Sequence, residues 1–279
     1  MKKILTIILS IALLVAVVYS PETESKGADT DLQVHFLNVG QGDSILIQNN
    51  GENLLIDGGK RSASDKVVGY LEKQGVEEIN YVIGTHPHED HIGGLIEVLD
   101  NFDVKNIMLP EVTSNTIVFE DLLDAIERSD IKINTPEVGG KLDSENMDIK
   151  ILAPNSEKYS LTNDYSIALR LEHGKNSFLF TGDAEKKSEV EMVEEHSSIL
   201  ESDVLKAGHH GSKTSSNPEF LDLVDPAITV ISVAESNSYD HPSSDLMEIF
   251  NKRDIDIYRT DEDGDIIMKS DGKVIKLVK

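Results

Sequence analysis

The chain has 279 residues, 39% of them hydrophobic, enough to bury one large core or two small ones. Its 51 Asp and Glu against 26 Lys and Arg leave a formal charge of −25, a solvated acidic surface that repels phosphate polymers and offers no basic patch for nonspecific DNA binding. With no cysteine it can build neither a disulfide framework nor a thiolate metal site, so any metal is held by nitrogen and oxygen ligands.

Lys2 and Lys3 precede an apolar stretch over residues 4–19, broken only by Thr6 and Ser10. That is the layout of a secretory signal peptide, a little short of the ~20 residues of a spanning helix. Pro21 disfavours cleavage directly after Ser20, which leaves a cut near Gly27 or Ala28, or retention as an N-terminal anchor. Either route puts the body of the protein outside the cytoplasm. Residues 1–30 are therefore read as signal peptide or anchor plus tether, and 31–279, free of linkers and repeats, as one domain.

Apolar patterning predicts strands at 33–39, 44–48, 53–57, 79–84, 106–109 and 132–135, then at 148–153, 166–172, 177–181, 203–207, 228–233, 255–259, 265–269 and 273–277. It predicts helices at 63–74, 91–101, 117–128, 185–195, 218–224 and 244–252. Gly174-Lys175-Asn176 joins two of the strands as a hairpin. Both halves carry hairpin-rich strand groups followed by helices. That order predicts two sheets packed face to face with helices outside, an α/β four-layer αββα sandwich.

Thr85-His86-Pro87-His88-Glu89-Asp90-His91-Ile92-Gly93-Gly94 lies between a buried-strand run and a helical pattern. Ligands at the C-terminal end of a strand can converge on one point, and imidazoles with a carboxylate suit a divalent ion such as Zn²⁺ or Mn²⁺. A polar helix cap would need Asp90 but none of the three histidines.

Four further motifs flank this one in chain order: Phe36-Leu37-Asn38-Val39-Gly40-Gln41-Gly42-Asp43-Ser44, Ile56-Asp57-Gly58-Gly59, Phe180-Thr181-Gly182-Asp183 and Lys206-Ala207-Gly208-His209-His210-Gly211-Ser212. Together they resemble the metallo-β-lactamase superfamily hydrolases. With Asp240-His241-Pro242 they resemble, within it, the soluble hydrolase domain of ComEC-type competence proteins and their exported stand-alone relatives. The resemblance covers nearly everything from Asp31 onward. It implies the αββα sandwich, a site at the edge between the sheets, and two divalent ions, Zn or Mn, as cofactors.

Carried over by motif, His86 and His88 would hold the first ion, Asp90 and His91 the second, and Asp183 would bridge them. Such a pair, roughly 3.5–4 Å apart, polarises a phosphoryl oxygen and acidifies a shared water into a hydroxide nucleophile. Asp57 would orient a ligand imidazole, or be a turn residue before Gly58-Gly59. His209 and His210 are adjacent, and neighbours at a strand end point in opposite directions. His210 is therefore the expected ligand, and His209 the phosphate contact or general acid. His241 is a proton donor, a metal ligand or a surface residue before Pro242; Asp43 faces the substrate pocket or is a turn residue. Superfamily members often give the first ion a third histidine ahead of the hairpin leading to the bridging Asp. That slot falls here at Asn163-Asp164-Tyr165-Ser166, where Asp164 or water would substitute. His35, His173 and His196 are read as structural or surface residues.

The function expected is an exported metal-dependent hydrolase of a phosphodiester. The resemblance suggests DNA as substrate; the charge disfavours tight DNA binding by this domain alone, and a small extracellular or cell-wall phosphoester avoids that difficulty. Membrane contact would run only through the N-terminal segment. The alternatives are a lactonase or β-lactamase-like acyl hydrolase, and a non-catalytic accessory protein of DNA uptake.

Overall fold

Strands here alternate between two apolar environments. On the strand Ile45–Asn49, Ile45 and Ile47 enter one core while Leu46 enters another. A strand that is apolar on both faces needs a layer on each side.

The computed structural model describes residues 31–278. Its first half runs β1 (Leu32–Phe36), β2 (Ile45–Asn49), β3 (Glu52–Ile56), α1 (Ser64–Lys73), β4 (Glu78–Ile79), β5 (Tyr81–Ile83), α2 (Glu89–Ile92), α3 (Leu95–Asn101), β6 (Asp103–Val104), β7 (Ile107–Met108), α4 (Ile117–Arg128) and β8 (Ile133–Asn134). The second half runs β9 (Asp148–Ala153), β10 (Ala168–His173), β11 (Asn176–Phe180), α5 (Lys186–His196), β12 (Val204–Lys206), α6 (Pro218–Val224), β13 (Ile228–Ile231), α7 (Ser244–Lys252), β14 (Asp256–Arg259), α8 (Thr260–Asp263), β15 (Ile266–Ser270) and β16 (Ile275–Val278).

One sheet has the order β16-β15-β1-β2-β3-β5-β7-β8 and the other β14-β13-β12-β11-β10-β9, while β4 and β6 form a small pair. In each, antiparallel neighbours give way to parallel ones joined through helices, at β3–β5 and at β11–β12. The central core lies between the sheets. It takes Val34, Phe36, Ile56 and Met268 from one and Ile151, Leu169, Phe178, Phe180 and Val204 from the other. Leu46, Leu55, Val82 and Ile107 face outward onto α1, α3 and α4. Leu179, Leu205 and Ile231 face outward onto α5, α6 and α7. This is the expected four-layer α/β sandwich. Each fully buried Leu, Ile or Phe contributes roughly 1.5–3 kcal/mol, so the three cores together hold the layers.

One expectation changes. The helix expected over 91–101 is two, α2 and α3, parted at Gly93-Gly94. A Cβ on Gly94 would lie 2.0 Å from the Gly58 carbonyl, so the chains cross there only because neither residue has a side chain. The last hairpin, β15–β16, joins the N-terminal sheet beside β1, with Val34 opposite Met268. Among the described residues no helix is long and apolar enough to cross a membrane; the segment read as signal peptide or anchor lies outside them.

Candidate metal centre

The site is built on the loops that follow β3, β5, β11 and β12. Asp57 directly follows β3 in a left-handed conformation, φ 59°, which Asp tolerates better than most residues. Its Oδ1 accepts from Thr85 N at 2.8 Å, and its Oδ2 from Thr85 Oγ1 and from His91 Nδ1, both at 2.7 Å. A carboxylate on Nδ1 fixes the proton there and leaves the Nε2 lone pair free. His91 Nε2 lies 3.3 Å from Asp183 Oδ2.

His210 follows the same logic with a different partner. Its Nδ1 donates to the Ser232 carbonyl at 3.0 Å, and its Nε2 stands 3.4 Å from Asp183 Oδ2 and 3.6 Å from Asp90 Oδ2. His86 Nε2 and His209 Nε2 are each 3.8 Å from the same Asp183 oxygen. His86 Nε2 is also 2.9 Å from His88 Nδ1. Ser166 Oγ approaches His86 Nδ1 at 3.3 Å and accepts from Asp183 N at 3.0 Å, so one hydroxyl ties the two ligand-bearing loops.

Four imidazole nitrogens therefore surround one carboxylate oxygen. Buried and without any hydrogen-bond partner are His91 Nε2, His210 Nε2, Asp183 Oδ1 and Asp43 Oδ1. Leaving such atoms unpaired costs about 1–3 kcal/mol each. Ligand atoms of Asp43, His91, Asp183 and His210 lie within 4.8 Å of one another. Orphaned nitrogens and carboxylate oxygens converging at that spacing fit a divalent cation of the Zn or Mn type.

The local charges agree. Burial alone would strip the proton from His91, but the Asp183 and Asp57 carboxylates outweigh it and hold its pKa well above the usual histidine value. His210 is likewise raised to about 9, against burial, by Asp183, Asp43 and Asp90. Burial pushes Asp183 up, yet the surrounding His210 and His91 keep it well below the ordinary carboxylate range. The buried imidazoles of His91 and His210 and the Asp183 carboxylate thus stabilise one another's charged forms.

Behind it lies an ion pair. Lys206, fully buried at the end of β12, reaches Asp43 Oδ2 at 2.7 Å and the Ala207 carbonyl at 2.8 Å. Asp43 Oδ1 stands 3.4 Å from His210 Nδ1. The loop carrying Asp43 packs tightly on Asp90, whose carbonyl accepts from Asp43 N at 3.1 Å. A Cβ on Gly42, φ 142°, would lie 2.2 Å from that carbonyl oxygen. Only glycine allows the approach.

The cluster opens into a cavity of about 320 Å³, lined among others by Lys60, His88, Asp90, His209, Tyr239 and His241. His209 sits on its rim, with Nδ1 3.5 Å from Glu185 Oε1 and 3.2 Å from Thr214 Oγ1. The His241 ring is 5.3 Å from that of His209, and burial with the nearby His209 and His210 lowers its pKa to about 4.

Of the residues singled out from sequence, His86, His88, Asp90, His91, Asp183, His209, His210 and His241 come together here, with Asp57 behind His91. His35, His173 and His196 lie elsewhere, bonded to Tyr70, Ser270 and Asn155. Three expectations are corrected. Asp164 does not join the ligand group: its Oδ1 accepts from Glu185 N at 3.1 Å and Ser188 N at 3.2 Å, capping α5, and Ser166 is the neighbour that faces His86. Asp43 is neither a pocket-facing nor a mere turn residue, because Lys206 and His210 enclose it. Strand alternation does not separate His209 from His210. Both adopt left-handed conformations, φ 49° and 53°, in a turn after β12, and both Nε2 atoms reach Asp183. Such conformations are costly for non-glycine residues and concentrate at functional sites.

Sequence reasoning missed Thr85, Ser166 and Lys206 as working parts of the site. For Lys206 a signal exists, a charged residue inside the apolar run Val204-Leu205-Lys206-Ala207. Ser166 carries none, since its contact depends on folding.

The chain belongs to the metallo-beta-lactamase superfamily, whose sequence pattern matches residues 37–235. It is similar to ComE operon protein 3 of Bacillus subtilis (strain 168), at 29% identity over 84% of this chain and 32% of that protein. It is also similar to Recombination protein 2 of Haemophilus influenzae, at 30% identity over 77% of this chain and 26% of that protein. The chain thus spans about a third or less of the length of these relatives, whose names support the ComEC-type likeness. Among solved structures, the metallo-beta-lactamase fold protein YhfI from Bacillus subtilis superposes with a TM-score of 0.59 at 13% identity, covering 86% of this chain and all of that one. CmlA, a diiron beta-hydroxylase from Streptomyces venezuelae, gives 0.55 at 15% identity over 82% of this chain and 52% of its own. At such identities the likeness concerns the fold.

Proposed function

We propose that this protein is an exported, metal-dependent phosphodiester hydrolase. The observation that carries the reading is the set of imidazole nitrogens around Asp183 Oδ2, with His91 Nε2 and His210 Nε2 buried and unpaired. In this reading His86 and His88 would hold one divalent ion, Asp90, His91 and His210 would hold a second, and Asp183 would serve both. Bound there, Zn or Mn ions supply Lewis acidity toward a phosphoryl oxygen and lower the pKa of a water.

The chain's own groups do the rest. Asp57 and the Ser232 carbonyl hold Nδ1 protons outward, which keeps both Nε2 lone pairs aimed inward. His209, on the rim between Glu185 and Thr214, is positioned to protonate a departing alkoxide. Lys60 offers a cation to a substrate phosphate in a cavity otherwise rich in carboxylates. The ComEC-type likeness and the name Recombination protein 2 of one relative favour a nucleic-acid substrate, whereas the −25 charge favours a short strand or small diester over a long duplex. Export is supported by Lys2-Lys3 and the apolar stretch behind them.

The test is elemental analysis of unchelated protein together with an unbiased panel of phosphodiesters, lactones and β-lactams. Up to two divalent ions per chain and diester turnover that chelation abolishes are expected. Turnover of lactones or β-lactams alone would replace this reading, and metal-free inactive protein would leave an accessory role. Fractionation that recovers the full chain soluble in the cytoplasm would end the export proposal.

A further inference from the structure

Among the described residues, Tyr239 is the one aromatic in the set of exposed large hydrophobic side chains, at 62% exposure, and it lines the catalytic cavity. The chain has no tryptophan and only seven tyrosines, so an aromatic ring left in water beside the site is unusual here. The ring is also held. It stacks on His241 with centroids 5.7 Å apart and planes 28° from parallel, and His241 in turn meets His209 edge-on at 5.3 Å. Asn237 fixes the loop beneath: its Oδ1 accepts from Tyr239 N at 3.1 Å and His241 N at 3.0 Å, and its Nδ2 donates to the His241 carbonyl at 2.7 Å.

An exposed aromatic face that folding does not bury, fixed in orientation at the mouth of a cavity, suits a planar ligand group. Because every nucleobase has a π-face, stacking on such a platform is strong and tolerant of sequence. Building on the phosphodiester reading above, we infer that Tyr239 is a specificity-determining residue that stacks on a nucleobase adjacent to the scissile phosphate. Lys60 in the same cavity takes a phosphate charge. Glu89, also in that lining, repels further phosphates, so the ligand is a single nucleotide unit or a short single-strand end.

The experiment has two arms, on metal-replete full-length protein and its Tyr239→Phe and Tyr239→Ala variants. One compares equilibrium binding of thymidine 5′-monophosphate with deoxyribose 5-phosphate. The other compares KM for thymidylyl-thymidine with that for the same diester carrying abasic sugars. The parent and Tyr239→Phe should prefer the base-bearing ligand by about 5- to 150-fold. In Tyr239→Ala that ratio should collapse toward one, in binding and in KM alike. Equal affinity for both ligands in the parent, no nucleotide binding, or a preference that survives in Tyr239→Ala would overturn the inference. Base-dependent binding without any diester cleavage would sink the hydrolase reading and leave this one standing. Cleavage with equal KM on both diesters would do the reverse.

Discussion

Asp57, Thr85, His91, Asp183 and His210 form the floor of the site and are at most 2% exposed, whereas His209 on the rim leaves 24% of its side chain in solvent and Tyr239 leaves most of its ring there. Asp57, Thr85, His91 and His210 are tied to one another or to backbone by bonds of 2.7–3.0 Å, and Asp183 N donates to Ser166 Oγ at 3.0 Å. On the rim, His209 has only looser polar neighbours, at 3.2 Å and beyond. The floor is oriented before any ligand arrives, which is what a metal centre requires. The rim is left to meet a substrate.

If that division holds, Asp183→Ala should have the largest effect. It removes the oxygen that four imidazoles share, so both ions and diester turnover should be lost together in elemental analysis and assay. Retention of both ions with full activity would mean the carboxylate is not central. His209→Ala should behave as a rim change. Metal content should persist, while turnover of an alkyl diester falls roughly 10²–10⁴-fold. On a nitrophenyl diester, whose leaving group needs no proton, the loss should be far smaller. Equal losses on both substrates with metal intact would remove His209 as the acid.

Lys206→Met tests the support beneath the floor. Removing one partner of a buried ion pair strands the other charge and costs about 3–5 kcal/mol. Urea unfolding of metal-free protein should show that loss, partly restored by adding Asp43→Asn. Burial pushes the Asp43 carboxyl up, but Lys206 and then His210 prevail and hold it at about 2. The pair therefore stabilises fully above about pH 4, and its contribution fades as pH falls toward the folded value. The gap between wild type and Lys206→Met should narrow in acid; a gap that widens there would contradict the pairing. The smallest effect is expected from Asp57→Asn, which keeps the shape but weakens the hold on His91 Nδ1. Metal affinity should drop about 10- to 100-fold, with the thermal midpoint little changed. Unchanged affinity would make Asp57 a turn residue after all.

Much of this was legible before folding. The six residues 86–91 announce their ligands through residue type, and every long predicted helix lies within a residue or so of its observed span except where Gly93-Gly94 divides one. The sheet layers could be read from the hairpin-rich strand groups followed by helices in both halves, and they form because strands apolar at every position, such as Phe178-Leu179-Phe180, need cover on both faces. Asp164 illustrates the limit. Its place ahead of the hairpin suggested a ligand, yet the first turn of α5 offers free N–H groups, and a nearby carboxylate satisfies two of them.

Local sequence determined the element types, the layered architecture and the inventory of metal-binding side chains, because periodicity and residue chemistry act over a few neighbours. Only the tertiary structure decided which atoms of that inventory face each other. His91 Nε2 and His210 Nε2 point at Asp183 because Asp57, 34 positions earlier than one, and the Ser232 carbonyl, 22 later than the other, take the opposite ring nitrogens. The partnership of Asp43 with Lys206, the left-handed turn that brings His209 and His210 to one carboxylate, and the seat of β15 beside β1 have the same origin. Each depends on contacts between distant parts of the chain, or on the sign of φ at a non-glycine residue, and residue type alone encodes neither.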